Sequence, residues 1–293
     1  MNKFIGVIYF ISIFSFLNAE DVDDYYAKQK LRLSSSDVSE IRDAIDRLTF
    51  ISGSRGVRDI ITTLEGNPNF PSSPVNSAAV KFYAAKALAK KGEVIAIQPL
   101  IKVYKKESLS FVERTEVKQT LGGVPKTNTS LSSPYFFGEN EHTMVLACGE
   151  ILRALGSIPT NEESLTEIKN ALQSPNFYIR SSAADALFFI GNKDNIQPLT
   201  DQLGKENDPY AKISILSSIL GLEKMANQNF RSVTESLKDA NPEIRKKASE
   251  ALGRFDLSIA APYLEKAIRV ENHPFVLKQM KEDYQKITSF HVP

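Results

Sequence analysis

From Ile179 the chain reads Ile-Arg-Ser-Ser-Ala-Ala-Asp-Ala-Leu-Phe-Phe-Ile-Gly, with apolar or small side chains at Ile179, Ala183, Leu187 and Ile190. Side chains at this spacing share one stripe of an amphipathic helix. The stripe recurs at Ile244, Ala248, Leu252 and Phe255, at Met144, Cys148, Leu152 and Leu155, and at Val276, Met280, Tyr284 and Ile287. A weaker copy runs through Val80, Ala84 and Leu88, and others centre on Leu48, Leu121 and Leu220. The third member of each stripe falls at 48, 88, 121, 152, 187, 220, 252 and 284, so the intervals are 40, 33, 31, 35, 33, 32 and 32 residues. A period of this length marks stacked helix pairs, each unable to bury its apolar face alone.

The punctuation supports the period. Pro74, Pro175, Pro209, Pro242 and Pro274 each lead one of these helices. Proline suits a first helical turn, where its missing N–H has no partner to lose. Ser73, Ser174, Asp208 and Asn241 precede four of them as expected N-caps, and His273 precedes the fifth. Gly92, Gly156 and Gly191 lie four residues past their ruler leucines, where a left-handed residue ends a helix. Second helices are predicted over 56–64, 93–106, 162–172, 195–203, 228–238 and 258–270, with Pro99, Pro198 and Pro262 in early turns of three. Ile97-Gln98-Pro99-Leu100 returns as Ile196-Gln197-Pro198-Leu199 after 99 residues, three periods of 33.

The run 176–203, with its "IRSSAADAL", Gly-Asn and "IQPL", resembles a HEAT repeat of the short bacterial kind also found in phycobilisome lyases. Residues 242–268 match well and 73–104 in part. The resemblance implies an all-α fold, a right-handed α-α superhelix of about eight HEAT-type helix pairs. It makes Pro175, Arg180, Ala183, Leu187, Gly191, Pro198, Pro242, Arg245, Ala248 and Leu252 structural repeat positions. It says little about activity, because such repeats serve scaffolds, adaptors and a few enzymes.

The first residues add a compartment. Lys3 precedes an uncharged apolar run from Phe4 to Leu17, followed by Asn18-Ala19 and the acidic stretch 20–24. A basic start, a short apolar core and a small residue describe a secretory signal peptide, with cleavage expected after Ala19. The 14-residue run is shorter than the ~20 residues that span a bilayer. The expected organisation is a signal peptide over 1–19, a polar leader or N-terminal cap over 20–36, and a solenoid over 37–293. Its destination would be the periplasm, the cell envelope or the exterior, with no integral membrane segment after cleavage. An uncleaved anchor is the alternative.

Without Lys3 the chain has 35 basic and 35 acidic side chains, which disfavours nucleic acid as partner. One cysteine, Cys148, excludes an internal disulfide, and its place in the column of Ala84, Ala183 and Ala248 reads as a core position. His142, His273 and His291 are scattered and form no zinc-binding spacing; the His-Glu pairs of di-iron HEAT enzymes are absent. No cofactor is expected. Arg180 and Arg245 share a column with Lys81, read as structural pairs in preference to a ligand ladder. Lys81, Lys86, Lys90, Lys91, Lys102, Lys105 and Lys106 form a basic run, ordinarily a solvated face.

The period falters at 122–139, where Pro125, Pro134 and Gly122, Gly123 and Gly138 break any long helix. Insertions in repeat arrays emerge as loops, often on a binding face, and Tyr135, Phe136 and Phe137 would be an aromatic anchor or a plug for the local core. The expectation is a monomeric, non-enzymatic exported scaffold that grips a protein or peptide partner. Its concave face would be lined by the second helices, with Lys102, Lys105, Lys106, Tyr135, Phe136 and Phe137 as contacts. The alternatives are a lyase-like or chaperone-like protein handling a cofactor, or a structural envelope or surface protein.

Overall fold

A computed structural model describes residues 19–66, 74–120, 139–223, 228–254 and 258–289. Among these residues there are α-helices and short 3-10 turns and no strands. The first helices of the pairs are α2 (Val38–Leu48), α4 (Pro74–Lys91), α6 (Glu139–Ser157), α8 (Phe177–Ile190), α10 (Pro209–Glu223), α12 (Pro242–Gly253) and α14 (Pro274–Ser289). The second helices are α3 (Arg55–Glu65), α5 (Ile97–Thr120), α7 (Glu162–Ala171), α9 (Ile196–Leu203), α11 (Gln228–Glu235) and α13 (Ala261–Ile268). An additional helix, α1 (Ala19–Arg32), packs on α2 ahead of the array. The chain is an all-α solenoid of two layers.

Local chemistry sets the helix ends. The side chains of Asp208 and Asn241 accept N–H groups of the first turns of α10 and α12, with Pro209 and Pro242 as first helical residues. In α8 the cap is Asn176, whose Oδ1 accepts N–H from Tyr178 and Ile179, so Pro175 stands outside the helix and Ser174 is not its cap. Gly92 and Gly191 end their helices at φ 66° and 73°, the left-handed region glycine tolerates best. Gly156 is different. It lies inside α6, and a Cβ there would come within 2.4 Å of the Ala186 carbonyl oxygen. It is a contact glycine, required by the approach of α8.

The stripes predicted from the sequence form the interior. Ile179, Ala183, Leu187, Ile244, Ala248, Leu252, Leu152, Leu155 and Met280 are all buried. The interior divides into two clusters, and α10 serves both. Ile215, Ile219 and Leu222 face the preceding helices; Ile213, Leu216 and Leu220 face the following ones. That double duty explains why α10 is apolar nearly all round.

The layers differ in spacing. First helices stack directly on one another, α4 on α6, α6 on α8, α8 on α10. Small residues allow this. Ser181 Oγ and Ser214 Oγ are 2.6 Å apart, Ser218 Oγ donates to the Ala184 carbonyl at 2.8 Å, and Gly221 faces the Phe188 ring. The second helices stand farther apart and meet through long charged side chains, as in Lys102–Glu65 at 2.8 Å and Lys105–Glu167 at 2.9 Å. In a curved two-layer stack the closer layer is the inner one, so the first helices line the concave face. This corrects the expectation that the second helices do.

The ruler position at Leu121 lies outside the described residues. Helix α5 runs unbroken from Ile97 to Thr120, and α6 stacks on α4 without a helix between. Seven first helices are stacked among the described residues, against the eight units read from the sequence.

Gly156→Ala forces its new Cβ onto the Ala186 backbone and is expected to lower stability by about 1–3 kcal/mol. Gly204→Ala, whose Cβ would meet nothing nearer than 3.7 Å, is expected to leave the calorimetric melting temperature unchanged or slightly raised.

Candidate functional site

Three ion pairs repeat along the array. Arg180 donates through Nε and Nη2 to both carboxylate oxygens of Glu206, each at 2.7 Å, and through Nη1 to the Ser174 and Pro175 carbonyls. Arg245 does the same with Glu271 at 2.7 and 2.8 Å and with the Asp239 and Ala240 carbonyls. Lys81 lies 3.7 Å from Glu107. Each acid follows its base by 26 residues. The staple ties the start of a first helix to the end of the second helix of the same pair, so the column of Arg180, Arg245 and Lys81 is structural. Burial opposes the charge of Glu206, but the Arg180 hydrogen bonds and the Asp208 N–H prevail and its pKa falls. The Arg245 hydrogen bonds lower that of Glu271. The acid was visible in the sequence as a fixed offset from each base.

A second cluster closes the inner face. Asp185 on α8 is fully buried and accepts from Arg153 Nε of α6 at 3.1 Å, from Arg254 Nη1 at 2.6 Å and from Lys247 Nζ of α12 at 3.4 Å. Helix α10 lies between α8 and α12, so this contact reaches across a whole layer. Tyr178 and Tyr210 stack at 6.2 Å; Arg153 covers the first ring and Lys247 the second, at 5.3 and 5.2 Å. Burial penalises the Asp185 charge, yet Arg254, Lys247 and Arg153 hold the carboxyl far below the usual carboxylate range. Burial pulls Lys247 down to about 8, against the attraction of Asp185 and helped by Arg254 and Arg153. This clasp fastens three first helices and fills the concave face with the chain's own side chains.

Grooves open along the edge where pairs adjoin. One of about 850 Å³ is lined by Leu237, Lys238, Tyr263, Ala267, Val270 and His273, with the Arg245–Glu271 staple in its wall. Tyr263, Val270 and the adjacent Phe275 are exposed by 46%, 73% and 75%. A smaller groove of about 270 Å³ lies at the Arg180–Glu206 staple, between Gln173, Gln202 and Lys205. No local pattern along the chain signals the larger one, because it forms where residues 234–245 and 263–274 meet.

Of the residues expected to bind a partner, the three lysines are described. Lys102 is paired with Glu65, and Lys105 with Glu163 and Glu167, both between second helices. Lys106 is exposed on α5. Lys90 sits over the Phe50 ring at 4.1 Å and Lys91 donates to the Ile51 carbonyl, so much of the basic run has structural work. Tyr135, Phe136 and Phe137, the rest of the 122–138 stretch and the segment 1–18 lie outside the described residues. Cys148 is buried beneath α5, and burial raises its thiol pKa strongly, which suits a core position and not a nucleophile. Among the described residues no group of three or more His, Cys, Asp or Glu could hold a metal, and no helix is long and apolar enough to cross a membrane.

Paired helices in two stacked layers, three of the pairs stapled by an ion pair, define an α-solenoid. Residues 149–220, from α6 to α10, match the family model described as HEAT repeats, and the chain carries HEAT repeats there. The match does not single out the lyase variety. No curated protein matches the chain. Among solved structures, human deoxyhypusine hydroxylase in complex with glycerol is 16% identical, over 92% of this chain and 97% of that one, with a TM-score of 0.37. Two engineered proteins are 14% and 12% identical, over 90% of this chain in each case and 96% and 89% of theirs, with TM-scores of 0.29 and 0.28. Likeness at this level bears on neither ligand nor activity.

Asp185→Asn leaves three cations around a neutral amide and is expected to cost about 3–5 kcal/mol in urea unfolding. Lys247 holds fewer protons folded than unfolded between pH 8 and its ordinary value near 10.5, so its contribution makes stability rise with pH across that window. Lys247→Met is expected to lack that rise when urea unfolding is compared at pH 7.5 and 10.

Proposed function

We propose that this protein is an exported, non-enzymatic scaffold that holds a protein or peptide partner. The observation that carries the reading is the 850 Å³ groove with its exposed rim of Tyr263, Val270 and Phe275, which the fold leaves uncovered beside the last pairs of the array. Exposed apolar side chains around a concavity are what partner sites present. The inner face between α6 and α12 is occupied by the Asp185 clasp, which favours the edge groove over the concave surface as the place of binding. Lys106, exposed on α5, is kept as a secondary contact together with the aromatic triplet 135–137. Export rests on the character of residues 1–19. The scaffold reading draws support from the HEAT-repeat match, since stacked helix pairs present regularly spaced side chains over a long surface.

A photo-crosslinking residue at position 263 in intact cells is expected to capture one reproducible protein, identified by mass spectrometry. Positions 106 and 189 serve as second-helix and inner-layer comparisons. Failure of all three positions to capture any reproducible protein would overturn the scaffold reading.

A further inference from the structure

The two edge grooves occupy the same place in the repeat, 65 residues apart: Arg180 and Glu206 in one correspond to Arg245 and Glu271 in the other. In the first, the chain fills its own groove. The Gln202 carboxamide donates through Nε2 to Glu206 Oε2 at 3.4 Å and accepts through Oε1 from Gln173 Nε2 at 3.1 Å. In the second groove, Ala267 stands where Gln202 does, Lys238 where Gln173 does, and Val270 where Lys205 does. The volume grows from about 270 to about 850 Å³. Glu271 keeps Arg245 and the N–H groups of His273 and Asn272, but position 267 offers it no side-chain donor. His273 lines the groove beside Glu271, and its main-chain N–H donates to the Glu271 carboxylate.

We propose that this groove takes a carboxamide side chain, glutamine or asparagine, from an extended segment of the partner protein. The inference rests on the scaffold reading and names the chemistry of its site. The incoming amide N–H donates to Glu271 and the amide oxygen accepts from Lys238 Nζ, reproducing the contacts of Gln202. Apolar neighbours of the carboxamide cover Leu237, Tyr263 and Val270. A glutamate in the same place would set its carboxylate against Glu271. An arginine or lysine would find that carboxylate already held in both directions by Arg245 and would meet Lys238. The groove thus selects a neutral group that both donates and accepts.

The test titrates the protein with three blocked peptides, acetyl-Ser-Leu-Gln-Tyr-Ser-N-methylamide and its Glu and Leu counterparts, none of which carries a terminal primary carboxamide, followed by amide and imidazole NMR signals. The glutamine peptide is expected to shift the signals of Val270, Glu271 and His273 and to bind about tenfold or more tighter than the other two, a difference of about 1.4 kcal/mol. Ala267→Gln restores the chain's own filler. It is expected to keep or raise the melting temperature, which shows that it folds, and to abolish glutamine-peptide binding. Equal affinity for the three peptides, no shift by any of them at millimolar concentration, or unchanged binding by a folded Ala267→Gln would each overturn the proposal. Partner capture from position 263 that persists in Ala267→Gln would refute the carboxamide site and leave the scaffold reading standing. Loss of capture at every position in the parent protein would remove the scaffold reading itself.

Discussion

The close approach of the first helices is the constraint on which the rest depends. Two helices can touch backbone to side chain only where the contact residues are small, and here they are glycine, alanine and serine. Gly156 against Ala186, Ser181 against Ser214 and Ser218 against the Ala184 carbonyl bring one layer tight while the other is held open by lysine and glutamate arms. A two-layer stack with unequal spacing must curve toward its tighter side. The curvature in turn lets Asp185 of α8 reach Lys247 of α12 over the serine-rich face of α10.

Charge inside this molecule serves connection. The staples join the two ends of a helix pair, and the Asp185 clasp joins three stacked helices. Both kinds use bidentate or multiply bonded carboxylates, the arrangement in which burial of an ion is compensated. The repeated staple also accounts for an apparent basic ladder. Arg180 and Arg245 are spent on carbonyls and a carboxylate of their own pair, so their alignment reflects the period of the fold and not a ligand.

Where a repeat departs from its siblings, the departure matters in proportion to what it removes. The substitution pattern at Gln202 and Ala267 changes neither helix nor staple. It removes the one carboxamide that bonds the staple acid, at a position lining the larger groove beside Tyr263. Cys148, by contrast, replaces an alanine in the core column and changes nothing chemical, because burial keeps its thiol protonated.

The sequence by itself determined the helix-pair period, the core stripes such as Ile179, Ala183 and Leu187, the glycine ends at Gly92 and Gly191, and the structural column of Arg180 and Arg245. These follow from local periodicity and backbone preference, which act over one or two turns and repeat every pair. Tertiary structure alone decided that α6 stacks on α4 without a helix between, that Gly156 is a contact and not a cap, and that the first helices face inward. It alone showed that Lys102 and Lys105 are paired between second helices, and that Ala267 lines a larger groove where Gln202 lines a smaller one. Each of these depends on which residues meet across 26 to 69 positions of chain, and side-chain spacing along one helix carries no information about the helix that will pack against it.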